Sequence, residues 1–274
     1  MKKSLILSIA LLITEGLYLS AQDLSSNCRA LNIPLKKYGI SFGNSIEFSG
    51  IRVNFRDSAV KHVNGLNLTF WLTRDLNNIP VVNGINIGFL PTATISQPIT
   101  VGLYGTGSKT LNGISVGGIA VGTLNANGLI VSGFVIAAGN SISGLSFAPI
   151  DIYSNNSING CAVGVASVVA HGNINGVVAD LGYVKCSKTV SGVTITAGYL
   201  NSSIYKGIAI AGFSGSIEMH GLSFAIINHT EKLHGLQVGL LNYAGNNHKG
   251  LRMLPFFNLH LRREETQPEG SNYL

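Results

Sequence analysis

Apolar and polar positions recur along this chain at an interval set by glycine. A glycine followed by an apolar residue stands at Gly50, Gly65, Gly84, Gly113, Gly128, Gly144, Gly160, Gly176, Gly192, Gly207, Gly221, Gly235 and Gly250, mostly 14 to 16 residues apart. The step from Gly84 to Gly113 holds two units, with Gly102 as a degenerate marker. A fixed interval of this kind marks a repeat array. One position after the marker come Ile51, Leu66, Ile85, Ile114, Leu129, Leu145, Cys161, Val177 and their successors; two positions further come Val53, Leu68, Ile87, Val116, Val131, Phe147, Val163 and theirs. These columns, spaced by two, predict one buried face of a short strand. The residues between them, such as Ser115, Ser146, Thr194, Ser223 and Gln237, are small or polar and belong to the opposite face.

Helix is excluded, because glycine in a helix interior costs about 1 kcal/mol against alanine and every unit carries at least one. The fold class is all-β. Asn or Ser commonly precedes the marker, as at Asn64, Asn83, Asn112, Asn127, Asn159 and Asn175. Asn-Gly is the preferred two-residue hairpin turn, which suits an antiparallel meander. In a solenoid the same residues corner the chain once per coil and stack as an asparagine ladder. The apolar positions shift parity within a unit, as at Phe134 and Ile136 or Ile150 and Ile152. That shift favours two short strands per unit and hence a two-sided β-solenoid of about 13 short repeats. An antiparallel meander or an outer-membrane β-barrel is the alternative, since spanning strands of about 9–11 residues fit within the units.

The ends differ from the array. Lys2 and Lys3, the apolar run Leu5 to Ile13 and the small residue Ala21 make residues 1–21 a signal peptide, with Gln22 as the mature terminus. Residues 22–57, richer in charge, read as an N-terminal cap, residues 58–261 as the array and residues 262–274 as a solvated tail. The formal net charge is +6, yet between Asn77 and Val184 the charged residues are Lys109, Asp151 and Asp180. Nucleic-acid binding needs clustered Lys and Arg on one face, and this stretch has none. Cys28, Cys161 and Cys186 form no CxxC pair; Cys161 and Cys186 fall at different offsets, which predicts buried thiols and no disulfide between them.

The segment GLQVGLLNYAGNNHKGLRMLPFFNLHL, Gly235 to Leu261, resembles the terminal repeats of bacterial surface repeat-protein families of Bacteroidota and spirochaetes. IPLKKYGISFGNSIEFSGIRVNFRD, Ile33 to Asp57, resembles the segment that precedes such repeats. The resemblance implies an envelope or surface location and supplies no catalytic residues.

Several short motifs imitate chemistry. Gly113-Ile-Ser115-Val-Gly117 matches a nucleophile elbow, but Ser115 occupies a variable repeat column and no strand-to-helix turn is available. The stretch from Gly102 to Thr110 resembles a phosphate loop with Lys109 one residue late and no helix after it. His220 and His234 precede markers, in a column shared with Lys206 and Lys249; a solenoid would set them side by side about 5 Å apart. That arrangement is conceivable as two metal ligands, but the column holds no Cys, Asp or Glu, and solvated corner histidines are the simpler reading. Asp151 and Asp180 lie seven and four residues after their glycines and form no evident pair. Asp57-Ser58-Ala59 fits a short acceptor pattern for O-glycosylation.

These readings assign no catalytic, cofactor-binding or metal-binding residue and no cofactor. The expected function is that of a non-enzymatic exported envelope protein with a structural, adhesive or partner-binding role. Its partners would be a cell-surface glycan, the outer membrane or another copy of the chain. An outer-membrane barrel is the first alternative, and a polysaccharide-active β-helix enzyme the second.

Overall fold

A computed structural model describes residues 30–35, 38–74 and 79–261. Residues 1–21, expected to be a signal peptide, Cys28 and the expected tail from residue 262 lie outside the described residues. The chain divides into two units, residues 1–149 and 150–274. Each is a β-solenoid of stacked parallel coils.

The first unit contains β1 (Ala30–Leu35), β2 (Tyr38–Gly43), β3 (Glu47–Arg56), β4 (His62–Trp71), β5 (Val81–Gly88), β6 (Thr92–Gly102), β7 (Gly105–Gly117), β8 (Ala120–Ser132) and β9 (Val135–Ala148). β1 runs antiparallel to β2. From β2 onward every pairing is parallel and aligns marker with marker: Gly39 with Gly50, Gly50 with Gly65, Gly65 with Gly84, Gly113 with Gly128 and Gly128 with Gly144. The second unit contains β10 (Asp151–Ser154), β11 (Ser157–Gly164), β12 (Ser167–Ala170), β13 (Ile174–Asp180), the long extended run β14 (Tyr183–Ala244) and β15 (Met253–His260). Gly160, Gly176 and Gly192 are again in parallel register. Within β14 the chain winds on through Gly207, Gly221 and Gly235 (φ +133°, +128° and +154°).

The marker must be glycine for two reasons. Its φ is positive, +117° at Gly128, where side chains other than glycine are strained. A Cβ there would also lie 2.2 Å from the carbonyl oxygen of Gly113 in the coil below. Parallel coils in this register exclude the antiparallel meander and the barrel. The Asn ladder is present in their place. Asn83 Nδ2 donates to Asn64 Oδ1 (3.0 Å), Gln97 Nε2 to Asn83 Oδ1 (3.0 Å) and Asn127 Nδ2 to Asn112 Oδ1 (2.9 Å). In the second unit Asn175 donates to Asn159 (2.8 Å).

Three details of the expected register are corrected. The missing marker is Pro98, paired with Gly84, whereas Gly102 pairs with Gly88 and Gly117 four positions later in the coil. The array begins at β2, inside the segment read as a cap. Gly250 is no marker: Lys249–Leu251 is a single 3-10 turn, after which β15 returns antiparallel to β14, with His260 opposite Gly235. Among the described residues, an antiparallel strand thus comes first in the first unit and another last in the second.

The largest correction concerns which face is inside. The apolar columns one and three residues after the marker point outward: Ile114 is 43% exposed, Leu145 55% and Phe147 43%. The residue between them points inward. Arg52, Asn67, Asn86, Ser115, Ile130, Ala162, Val178, Thr194, Ser223 and Gln237 are all buried in that column. The apolar core lies elsewhere, two residues before the marker (Val63, Val82, Leu111, Ile142, Ile158, Ile174) and eight after it (Val121, Ile136, Ile152, Val168, Val184, Leu200). A period of two fixes which residues share a face, and a coil has both an inside and an outside wall for each strand. Small hydroxyl and amide side chains fill much of this inner wall, and Asn67, Ser115 and Ser223 among them hydrogen-bond there.

Candidate functional site

Each residue singled out by sequence has a place in this frame. Ser115 is inside the coil, its Oγ 3.2 Å from Thr106 Oγ1, and not at an exposed elbow. Gly105 and Lys109 belong to extended β7, so the apparent phosphate loop spans a tight turn and a strand. Asp57 is buried: Arg52 Nη2 lies 2.8 Å from its Oδ1, and Asn54 Nδ2 donates to the same oxygen at 2.9 Å. Arg52 Nη1 also donates to Asn67 Oδ1 (2.7 Å), and Asn67 Nδ2 to Asn86 Oδ1 (2.9 Å). This polar network, built through the inward column of three coils, occupies the Asp57 side chain structurally. Cys186 is buried with its Sγ 3.1 Å from Gly172 O, and burial raises its pKa; Cys161 is half-buried on the outward column. No disulfide joins the two.

Asp151 and Asp180, expected to be unrelated, are both drawn inside the second unit. Ser167 Oγ donates to Asp151 Oδ1 at 2.6 Å, and the Gly182 N–H donates to Asp180 Oδ1 at 2.6 Å. Asp180 Oδ2 is buried without a hydrogen-bond partner. Burial raises the pKa of both carboxyls, and the charge of Asp151 raises that of Asp180 further. Offset along the repeat did not reveal this, because positions four and seven after the marker lie on either side of one turn and both face inward there.

His220 and His234 stack as the solenoid register requires, ring centroids 4.7 Å apart and planes within 14°. Sequence reasoning missed their acid. Glu218 precedes His220 by two residues, so it emerges from the same side of the strand. Its Oε1 is 2.6 Å from His220 Nε2 and 4.0 Å from His234 Nε2. The His220 hydrogen bond holds the Glu218 carboxyl below its usual range, with help from the charges of His220, His234 and Lys232. The signal was available in the spacing: a residue two before a ladder position shares its face.

On the outer wall of the first unit Phe55, Phe70, Phe89 and Tyr104 form a stack with centroid spacings of 5.3, 5.6 and 5.6 Å. The rings cover each other's faces, which leaves edges outward and no open platform along the stack. Comparison with family models, curated proteins and solved structures finds no match for this chain.

Proposed function

We propose that this chain is a non-enzymatic, exported repeat protein of the cell envelope with a structural or adhesive role, binding through its outward apolar columns. One observation carries the reading. Ile51, Ile85, Ile87, Ile114, Leu129, Leu145 and Phe147 in the first unit are each more than a third exposed and stand in register, coil upon coil. Val177, Ile195, Ile208, Ile210, Leu222 and Phe224 do the same in the second. Isolated exposed hydrophobes are ordinary, whereas a continuous apolar patch larger than a few hundred Å² marks an interaction surface. Charge is scarce along the middle of these columns: between Asn77 and Val184 the charged residues are Lys109, Asp151 and Asp180, and the two acids are buried. The signal-like residues 1–21 and the resemblance of Gly235 to Leu261 to surface repeats support export to the envelope.

The test replaces Ile114, Leu129 and Leu145 with serine in the full chain and measures co-sedimentation with envelope membranes. The variant should keep the circular-dichroism signature of the wild type and lose most of its association. Undiminished association of a folded variant would refute the reading.

A further inference from the structure

We infer that Glu218, His220 and His234 form a divalent transition-metal site on the second unit, with zinc as the ion whose ligand preferences it fits best. The donor atoms are one carboxylate oxygen and two imidazole nitrogens, all within 4.8 Å of one another. A metal bound at roughly 2.0–2.2 Å from each requires only small side-chain rotations to gather them. Two imidazoles favour zinc, copper or nickel over magnesium and calcium, which take oxygen ligands.

The fold itself prepositions the donors. His220 and His234 occupy the marker-preceding column of successive coils, and the backbone stacking there is close: the Gly221 carbonyl oxygen lies 2.0 Å from where a Cβ on Gly235 would be. Glu218 is fixed on the same side of the strand as His220. The three side chains are partly buried, with His234 18% and Glu218 33% exposed, so they are accessible to an ion yet restrained. His260, brought to this place by antiparallel β15, sets its ring edge-on against His234 at 6.2 Å and is held by Asn247. Three protein ligands leave further coordination positions to water or to a donor from a partner. Elsewhere the same column carries asparagines that bond to one another, so the imidazole pair is a local substitution in an otherwise amide ladder.

The experiment is calorimetric titration of the tag-free full chain with zinc chloride after chelator treatment, with magnesium chloride as the comparison ion. One equivalent of zinc should bind, and magnesium should not compete. His220→Asn and His234→Asn keep a ladder-compatible side chain and should each weaken zinc binding at least tenfold, as should Glu218→Gln. His229→Asn and His248→Asn should change it less than twofold. Cobalt substitution should give visible absorption that is lost in H234N. Absence of zinc binding in the wild type would overturn the assignment. So would zinc binding unchanged in folded H220N and H234N chains, or magnesium binding of equal strength.

Discussion

Leu129 and Ile130 are neighbours in β8, both branched aliphatics of equal size, and the fold assigns them opposite fates. Ile130 is 0% exposed and Leu129 39%. Truncating a fully buried isoleucine to alanine removes its transfer energy and leaves a cavity, at a cost of about 2–5 kcal/mol. Leu129 stands in register with Ile114 and Leu145 of the adjoining coils on the outer wall and is already partly in solvent. Full burial of a leucine side chain is worth roughly 1.5–3 kcal/mol, so its truncation should cost about 1 kcal/mol. Ile130→Ala should therefore lower the denaturation midpoint several times as far as Leu129→Ala, read by circular dichroism in urea. Stacked repeats need not unfold in one step, so the comparison rests on midpoints under identical conditions. If Leu129→Ala proves the more damaging, the apolar columns are the core after all and the inside-out assignment is wrong.

Three further outcomes follow from the same frame. Asp57→Ala should destabilise the first unit by about 3–5 kcal/mol by leaving Arg52 buried and unpaired, and Arg52→Met added to it should recover much of the loss; equal midpoints for the single and double variants would refute this. Gly128→Ala should cost at least about 1–3 kcal/mol from positive φ alone, and more from contact with Gly113 O; a wild-type melting curve would contradict it. Asp180 and Asp151 have folded pKa values raised by burial, so their ionisation opposes folding. The folded chain binds more protons than the unfolded one between the ordinary carboxylate range and the raised values, and stability falls as pH rises through that window. Asp180→Asn should flatten this loss and stabilise the protein near neutrality; thermal melts across pH that show the variant weaker at neutral pH would sink the argument.

Much of the fold could be read from residue order. The glycine interval located the markers from Gly50 to Gly235 except Pro98, whose ring occupies a glycine's place and carries no recognisable sign of it; it also passed over Gly39 and took Gly250, in a 3-10 turn, for a marker. Asn before glycine was equally compatible with a hairpin turn and a ladder, and only the parallel pairing decides between them. Burial could not be read in the same way. Ile114 and Ile130 are indistinguishable by hydropathy, yet they occupy opposite walls, because they stand one and two residues after their markers and a period of two does not say which parity faces in. The histidine pair was legible in the marker-preceding column, since equal offset in a solenoid means adjacency. Glu218 was not legible in that column, because it joins the pair from two residues away on the same side of the strand. The proximity of Asp151 to Asp180 depends on a turn between their positions, which spacing alone does not encode.

The central claim is parallel, in-register coils with the marker-following residues outside, and disulfide trapping tests it most directly. In a chain whose own cysteines are replaced by alanine, Ile114→Cys with Leu129→Cys places two thiols in register on adjacent parallel strands. That separation, about 4.8 Å between strands, lies within reach of a disulfide. Ala126→Cys with Leu129→Cys is the opposing pair: a hairpin about Asn127-Gly128 would set them face to face, whereas the solenoid buries residue 126 and exposes residue 129. Mild oxidation of the folded chain should cross-link the first pair and not the second, read by mobility shift and mass spectrometry. Cross-linking of Ala126→Cys with Leu129→Cys, and none between positions 114 and 129, would contradict the account.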